Sequence, residues 1–350
     1  MHRRKLIAAL GAGLFAGCTG SESTTPTTDE TTKRALTTDT QTTTATTDAD
    51  STTSDDGTTE DETTTDGTSA KSIQVGDRVD DDRMSMVVRG VEKTEKLGEF
   101  SKAASGNTFV VVRLAVKNTT KDTYLNFSGF LQTLLKDGSG YTYEQTITAS
   151  GQTFTGGQLV PGEVARGDLV YEVPKDASDL TLQFDFGTVS FLTVDRVTVD
   201  LESKANSAAD LEQSLRVDVR DTGESVENGG VTVAVNGVKF AKKLGEFTAA
   251  GDGKEYAIVD ITTTNETGSS QSISTALQML AKDGRGRTYP MSISAAASLD
   301  RSYDEASPLA DGEKRRGKVA YEVPKGVSPL YWAFEYSLWT DGDKTFWKLR

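Results

Sequence analysis

The chain has 350 residues, 35% of them hydrophobic, and carries 52 acidic against 38 basic side chains for a formal net charge of −14. That length holds about two ordinary domains. With one cysteine (Cys18) and one histidine (His2), it can build neither an internal disulfide nor a cysteine/histidine zinc site. No clustered lysine and arginine face is present to neutralise phosphates, so nucleic acid is not an expected partner.

Residues 1–17 read as a signal peptide: a basic start (Arg3, Arg4, Lys5), an apolar run from Leu6 to Ala16, and small residues before a cut. The apolar run is too short for a spanning helix, which needs ~20 residues. Phe15-Ala16-Gly17-Cys18 resembles the lipobox of bacterial and archaeal lipoproteins, with Phe15 where leucine is usual. That resemblance makes Cys18 the lipidated N-terminus of the mature chain and the membrane its attachment. Arg3 and Arg4, followed after Lys5 by Leu6 and Ile7, resemble a twin-arginine export signal. The combined pattern is similar to that of prokaryotic, haloarchaeal lipoproteins and places the protein on the extracellular face of the cytoplasmic membrane.

Residues 18–71 form an acidic stalk. From residue 19 to 70 there are 23 threonines and 12 acids against only Lys33 and Arg34, with no aromatic residue, valine, isoleucine or methionine. Such a composition cannot bury a core. It serves as a flexible spacer or, if its hydroxyls are glycosylated, as a stiffened one. Most of the chain's negative charge sits here, so the folded part is only mildly acidic.

The remainder repeats itself. Lys96-Leu97-Gly98-Glu99-Phe100 recurs as Lys243-Leu244-Gly245-Glu246-Phe247. Lys136-Asp137-Gly138 recurs as Lys282-Asp283-Gly284, and Tyr171-Glu172-Val173-Pro174-Lys175 as Tyr321-Glu322-Val323-Pro324-Lys325. Val110, Val112, Leu114 and Val116 alternate along one strand, as do Ala257, Val259, Ile261 and Thr263. Leu180, Leu182, Phe184 and Phe186 do the same, matched by Leu330, Trp332, Phe334 and Tyr336. Short alternating strands separated by turn signals predict an all-β chain of two tandem immunoglobulin-like β-sandwiches, over 72–202 and 214–350. Residues 203–213 read as a short linker that would let the two copies bind a partner twice.

Leu159-Val160-Pro161-Gly162-Glu163, then Arg166-Gly167 and Tyr171 to Lys175, resembles the domain of unknown function 4352 family. The second copy keeps Gly312, Glu313, Arg316 and Gly317 but has Asp311 where Pro161 stands. The resemblance implies a fold and an extracellular location and no defined activity.

A mature chain without histidine or a free thiol lacks the usual general base and the cysteine nucleophile, so no catalytic residue and no cofactor is expected. The acids Asp77, Asp80, Asp81 and Asp82 lack calcium-loop spacing and read as a solvated turn. Asn118, Asn126 and Asn265 head N-glycosylation sequons, although asparagine at a strand end also serves turn chemistry. The repeated Lys-Leu-Gly-Glu-Phe segment reads as a strand end and turn in which Gly98 and Gly245 supply backbone freedom while leucine and phenylalanine pack inward, or as a shared binding loop. Trp339 and Trp347, without counterparts in the first copy, are the candidate binding surface. The chain thus reads as a non-enzymatic surface lipoprotein presenting two domains to an unknown extracellular protein or glycan. The alternative is an accessory subunit docked on a membrane complex or surface layer. A substrate-capturing lipoprotein of a transporter fits less well, because alternating helices are missing.

Overall fold

The computed structural model describes residues 70–98, 101–146, 153–154, 156–186, 194–336 and 344–350. The expectations for Arg3, Arg4, Cys18, Trp339 and the stalk up to residue 69 lie outside these residues, while Ala70 and Lys71, assigned to the stalk, belong to the first strand.

Each copy is a sandwich of two sheets. In the first, Ala70–Val75 pairs in parallel with Arg196–Lys204, which continues into Thr181–Asp185, Thr133–Lys136 and Thr142–Tyr143. The facing sheet runs Val164–Pro174, Asn107–Asn118, Met84–Thr94, Arg78–Asp80. The second copy repeats this plan. Val219–Asp221, Lys344–Lys348, Leu330–Glu335, Met279–Asp283 and Thr288–Tyr289 form one sheet, and Ser225–Asn228, Val231–Ala241, Lys254–Asn265 and Lys314–Pro324 the other.

The alternation read in the sequence decides which face is inside. Val110, Val112 and Val116 have no exposure and Leu114 only 2%, while the outward Arg113 is exposed. The second core is built around Trp332 and Trp347, whose rings lie 5.4 Å apart. Each such side chain contributes about 1.5–3 kcal/mol by leaving water, so the cores carry the fold without a disulfide. Both copies also insert one extra residue before a glycine in the second strand of the facing sheet. The bulge falls between Val88 and Gly90, and again between Val235 and Gly237.

The repeated motifs prove to be turn chemistry. Asp137 accepts from the backbone N–H of Ser139 and Tyr141 and from the hydroxyl of Tyr143. Asp283 does the same with Arg285, Arg287 and Tyr289. Arg166-Gly167 and Arg316-Gly317 keep their glycines because another segment crosses there: a Cβ on Gly167 would meet the Phe154 backbone at 2.3 Å, and one on Gly317 the Tyr303 backbone at 2.3 Å.

Both sandwiches belong to one compact unit, and the glutamate of the Gly162-Glu163 turn joins them. Its Oε2 closes its own turn by accepting from Val160 N at 2.9 Å. Its Oε1 reaches into the second copy and accepts from both Lys282 and Lys344, the latter at 2.9 Å. Lys344 also meets Glu335 at 3.1 Å and the Gln158 carbonyl at 3.2 Å. Two ammonium groups and two carboxylates thus neutralise one another, and Glu163 has no exposure. Val160 packs beside them on Ala333 and Phe346. Gly286 of the second copy comes so close to Val164 that a Cβ would lie 2.3 Å from its carbonyl oxygen. Residues 203–213 are not a free tether, since Leu211 is 2% exposed against Val87, Ala115 and Val164.

Glu163→Gln leaves the buried Lys282 ammonium without its carboxylate while Lys344 keeps Glu335, which costs about 3–5 kcal/mol. Urea unfolding is expected to split into two transitions as the copies separate, where the parent unfolds in one. Burial alone would raise the Glu163 carboxyl, but Lys282 and Lys344 outweigh it and hold the group below its ordinary range. A depressed carboxyl stabilises the folded chain above its unfolded value of about 4.3, and that contribution is lost as pH falls through the folded value. Melting temperature of the parent should therefore drop as pH falls below about 4.3, and Glu163→Gln should flatten that segment of the profile.

Candidate functional site

Two concavities compete for the role of binding site. The first is a cleft of about 550 Å³ between the copies, with Phe130 and Leu277 on its lining. Its charged lining is Glu163, Lys282, Lys344 and Glu335, whose charges are spent on one another. The second is a groove of about 690 Å³ on the outer face of the second copy's Ser225–Asn228 sheet, beginning at the Gly237 bulge. Lys239, Lys243, Arg301, Arg316 and Lys318 line it against only Asp260 and Asp300, over an apolar floor that includes Leu244 and Ile258.

Two of these cations are already paired. Arg316 holds Asp260 through two bonds of 2.9 Å, and Lys318 meets Asp300 at 2.5 Å. Lys239, Lys243 and Arg301 are exposed and have no ion pair among the described residues. A cationic groove on a folded part that is acidic in sum is an address for an anion. It is particular to this copy: where the second has Lys239 and Lys318, the register of the first places Glu92 and Asp168.

The adjoining face of the first copy, around Arg166, is occupied by the chain itself. The non-helical stretch 208–212 crosses it, and Asp210 meets Arg166 at 2.5 Å and Arg89 at 3.6 Å. Arg166, 6% exposed at its side chain, also donates to the carbonyls of Leu211 and Arg285. The Lys117 ammonium donates to the Glu212 carbonyl at 2.7 Å.

Several expected site residues take other roles. Trp347 has no exposure and donates to the Glu224 carbonyl at 3.1 Å, so it belongs to the core and not to a binding surface. Asn118 and Asn265 are likewise fully buried, each amide nitrogen donating to two carbonyls, Thr123 and Leu159 in one copy and Ser269 and Leu309 in the other. Their sequon threonines, Thr120 and Thr267, donate back to the asparagine oxygen. The Asn-x-Thr pattern there is a strand-end clasp with no room for sugar. Only Asn126 is exposed. The Lys-Leu-Gly segments do form hairpins, with Gly98 at φ 63° and Gly245 at φ 65°. Leu244 packs inward as expected, but Phe247 is 96% exposed at the tip. In the acidic turn Asp80 serves Arg78 and Ser85, and among the described residues no group of three acids gathers as a metal site.

What the sequence did not single out is Glu163 with its two lysines, the Arg166–Asp210 contact and the groove cations. The nearest signal was Gly-Glu and Arg-Gly recurring in both copies. Mass spectrometry of tryptic peptides should find Asn118 and Asn265 bare in the folded protein, with Asn126 the sole candidate for sugar among the three. Asn265→Ala should cost about 1–3 kcal/mol, because the clasp loses its bonds to the Ser269 and Leu309 carbonyls and the Thr267 N–H loses its acceptor, although Leu309 keeps the Gln271 N–H.

A family model described as a domain of unknown function, DUF4352, matches residues 73–191 and 220–344. No match was found among curated proteins. Similar solved structures include an uncharacterised β-sandwich protein of Clostridium difficile, 20% identical, covering 40% of this chain and 100% of its own at a TM-score of 0.28. The yjhA protein of Bacillus subtilis is 21% identical, covering 38% and 100% at 0.32. A secreted protein of Mycobacterium tuberculosis is 12% identical, covering 37% and 95% at 0.29. Matched twice, once over each sandwich, the chain belongs to the DUF4352 family.

Proposed function

We propose that this is a non-catalytic surface lipoprotein, exported through Arg3 and Arg4, anchored by lipid on Cys18, and lifted from the membrane by its acidic stalk. Its two sandwiches act as a single arm that binds an extracellular partner through the groove on the second copy. The groove of about 690 Å³ carries this reading, since it combines unpaired cations with an apolar floor on an otherwise acidic folded part. Concave sites with a few convergent polar groups on a mostly apolar lining are the usual form of recognition pockets.

A second reading, an accessory subunit docked on a membrane complex or surface layer, is favoured by Phe130 at 58% exposure, Leu131 at 82% and Leu277 at 63%. Apolar side chains left in water in this way suit a protein contact.

Gly237 lines the groove, has nothing within 4 Å of a Cβ, and so accepts a larger side chain. Gly237→Trp fills the groove without touching the core. In cells, the Cys18→Ser chain should appear in the medium, whereas Gly237→Trp should stay in the membrane fraction but lose cross-linking to any surface partner. Retention of the same cross-links by Gly237→Trp would turn the reading towards the Phe130 and Leu277 face.

A further inference from the structure

The two copies share an arginine position on their outer sheet, and in one of them its occupant is visible. On the first copy that occupant is the peptide 208–212, with Asp210 held by Arg166 and Arg89 and Leu211 seated on Val87, Ala115 and Val164. Arg166 also takes the Leu211 carbonyl, so the recognition includes the peptide backbone as well as the carboxylate. Strand register puts Arg316 where Arg166 stands and Asn236 where Arg89 stands, and both line the groove of the second copy, which runs from there along the sheet away from Ala234, Thr262 and Lys314, the counterparts of Val87, Ala115 and Val164. No described segment of the chain covers the groove there, and the Arg316 side chain is 63% exposed.

We infer that the groove of the second sandwich binds an acidic, extended polypeptide segment of a partner protein, starting at Arg316, the position from which Arg166 holds residues 208–212 on the first sandwich. This rests on the groove being the recognition surface proposed above.

Three features select a peptide of this kind. Lys239, Lys243 and Arg301 add three cations around Arg316, so the ligand carries more negative charge than the single Asp210 of the first copy. The floor formed by Leu244, Ile258 and Leu299 accepts apolar side chains between the acids, as Val87 and Ala115 accept Leu211. Among the described residues, no aromatic ring lines the groove to stack against a sugar. Its walls are also tied in place, since the hydroxyls of Thr248 and Ser298 meet at 2.6 Å between the Lys243–Leu244 hairpin and the segment that bears Arg301. A concave, walled groove suits a strand of chain better than a lipid surface.

The test uses the full mature chain and a fluorescein-labelled heptapeptide with the sequence of residues 207–213, followed by anisotropy at low and at physiological salt. A second peptide carries two further aspartates, and a third has asparagine and glutamine in place of its acids. The aspartate-rich peptide should bind tightest. The neutral one should bind roughly tenfold more weakly or not at all, and salt should weaken only the acidic ones. The triple variant Lys239→Glu, Lys243→Glu, Arg301→Glu should lose roughly tenfold in affinity, with an unchanged melting temperature because all three side chains are exposed. Equal binding of neutral and acidic peptides, or an unaffected triple variant, would overturn the inference. So would tighter binding of a polyuronate glycan or of anionic vesicles than of the aspartate-rich peptide. If Gly237→Trp abolishes surface cross-links while no acidic peptide binds, the groove remains the site and only its ligand class is wrong.

Discussion

One carboxylate organises the relation between the two sandwiches. Glu163 lies in a turn that both copies build in the same way, with one oxygen closing the loop onto Val160 N in the first and the matching Glu313 closing onto Ala310 N in the second. What differs is the other oxygen. In the second copy it meets Arg315 of its own strand, whereas in the first it is taken by Lys282 and Lys344 of the neighbouring domain. A buried charge without partners would cost several kcal/mol, so the position of the second copy is dictated by the need to bring those two ammonium groups to it. The packing of Val160 on Ala333 and Phe346 adds area, but area alone does not fix orientation.

That constraint sets what each outer face can do. With the junction closed, the linker peptide is pressed onto the first copy, where Asp210 and Leu211 occupy the face around Arg166. The second copy keeps the arginine, loses the covering peptide and gains lysines. The repeat thus leaves one arginine position covered and its counterpart open, and the open one lies in a groove whose charge is opposite to that of the chain in sum. Function in this reading follows from the asymmetry between repeats more than from anything they share.

Much of the fold was legible because it depends on local alternation. Val110 to Val116 and Leu330 to Phe334 declare their buried face with a period of two, and Asp-Gly pairs mark turns whose chemistry is confined to a few residues. The junction was not legible, since Lys136 and Lys282 are the same residue in the same motif and only one of them meets a glutamate from 119 positions away. The sequons misled for a related reason. Asparagine followed by threonine looks alike whether its amide faces solvent or clasps two strand ends, and only tertiary structure separates Asn126 from Asn118. Trp347 read as unmatched because its position has no bulky counterpart in the first copy, yet it fills the second core against Trp332. Phe247 went the other way, since its hairpin turns the ring outward after Gly245.

The central claim is that Glu163 holds the two sandwiches in one arrangement. Spin labels attached at Glu202→Cys and Ser225→Cys, both exposed strand positions on different copies, report it directly by electron–electron dipolar distance measurement in a Cys18→Ser background. A single narrow distance distribution that broadens when Glu163→Gln is added is the predicted result. A broad distribution in the parent, unchanged by Glu163→Gln, would show two domains swinging on a flexible linker and would contradict the account.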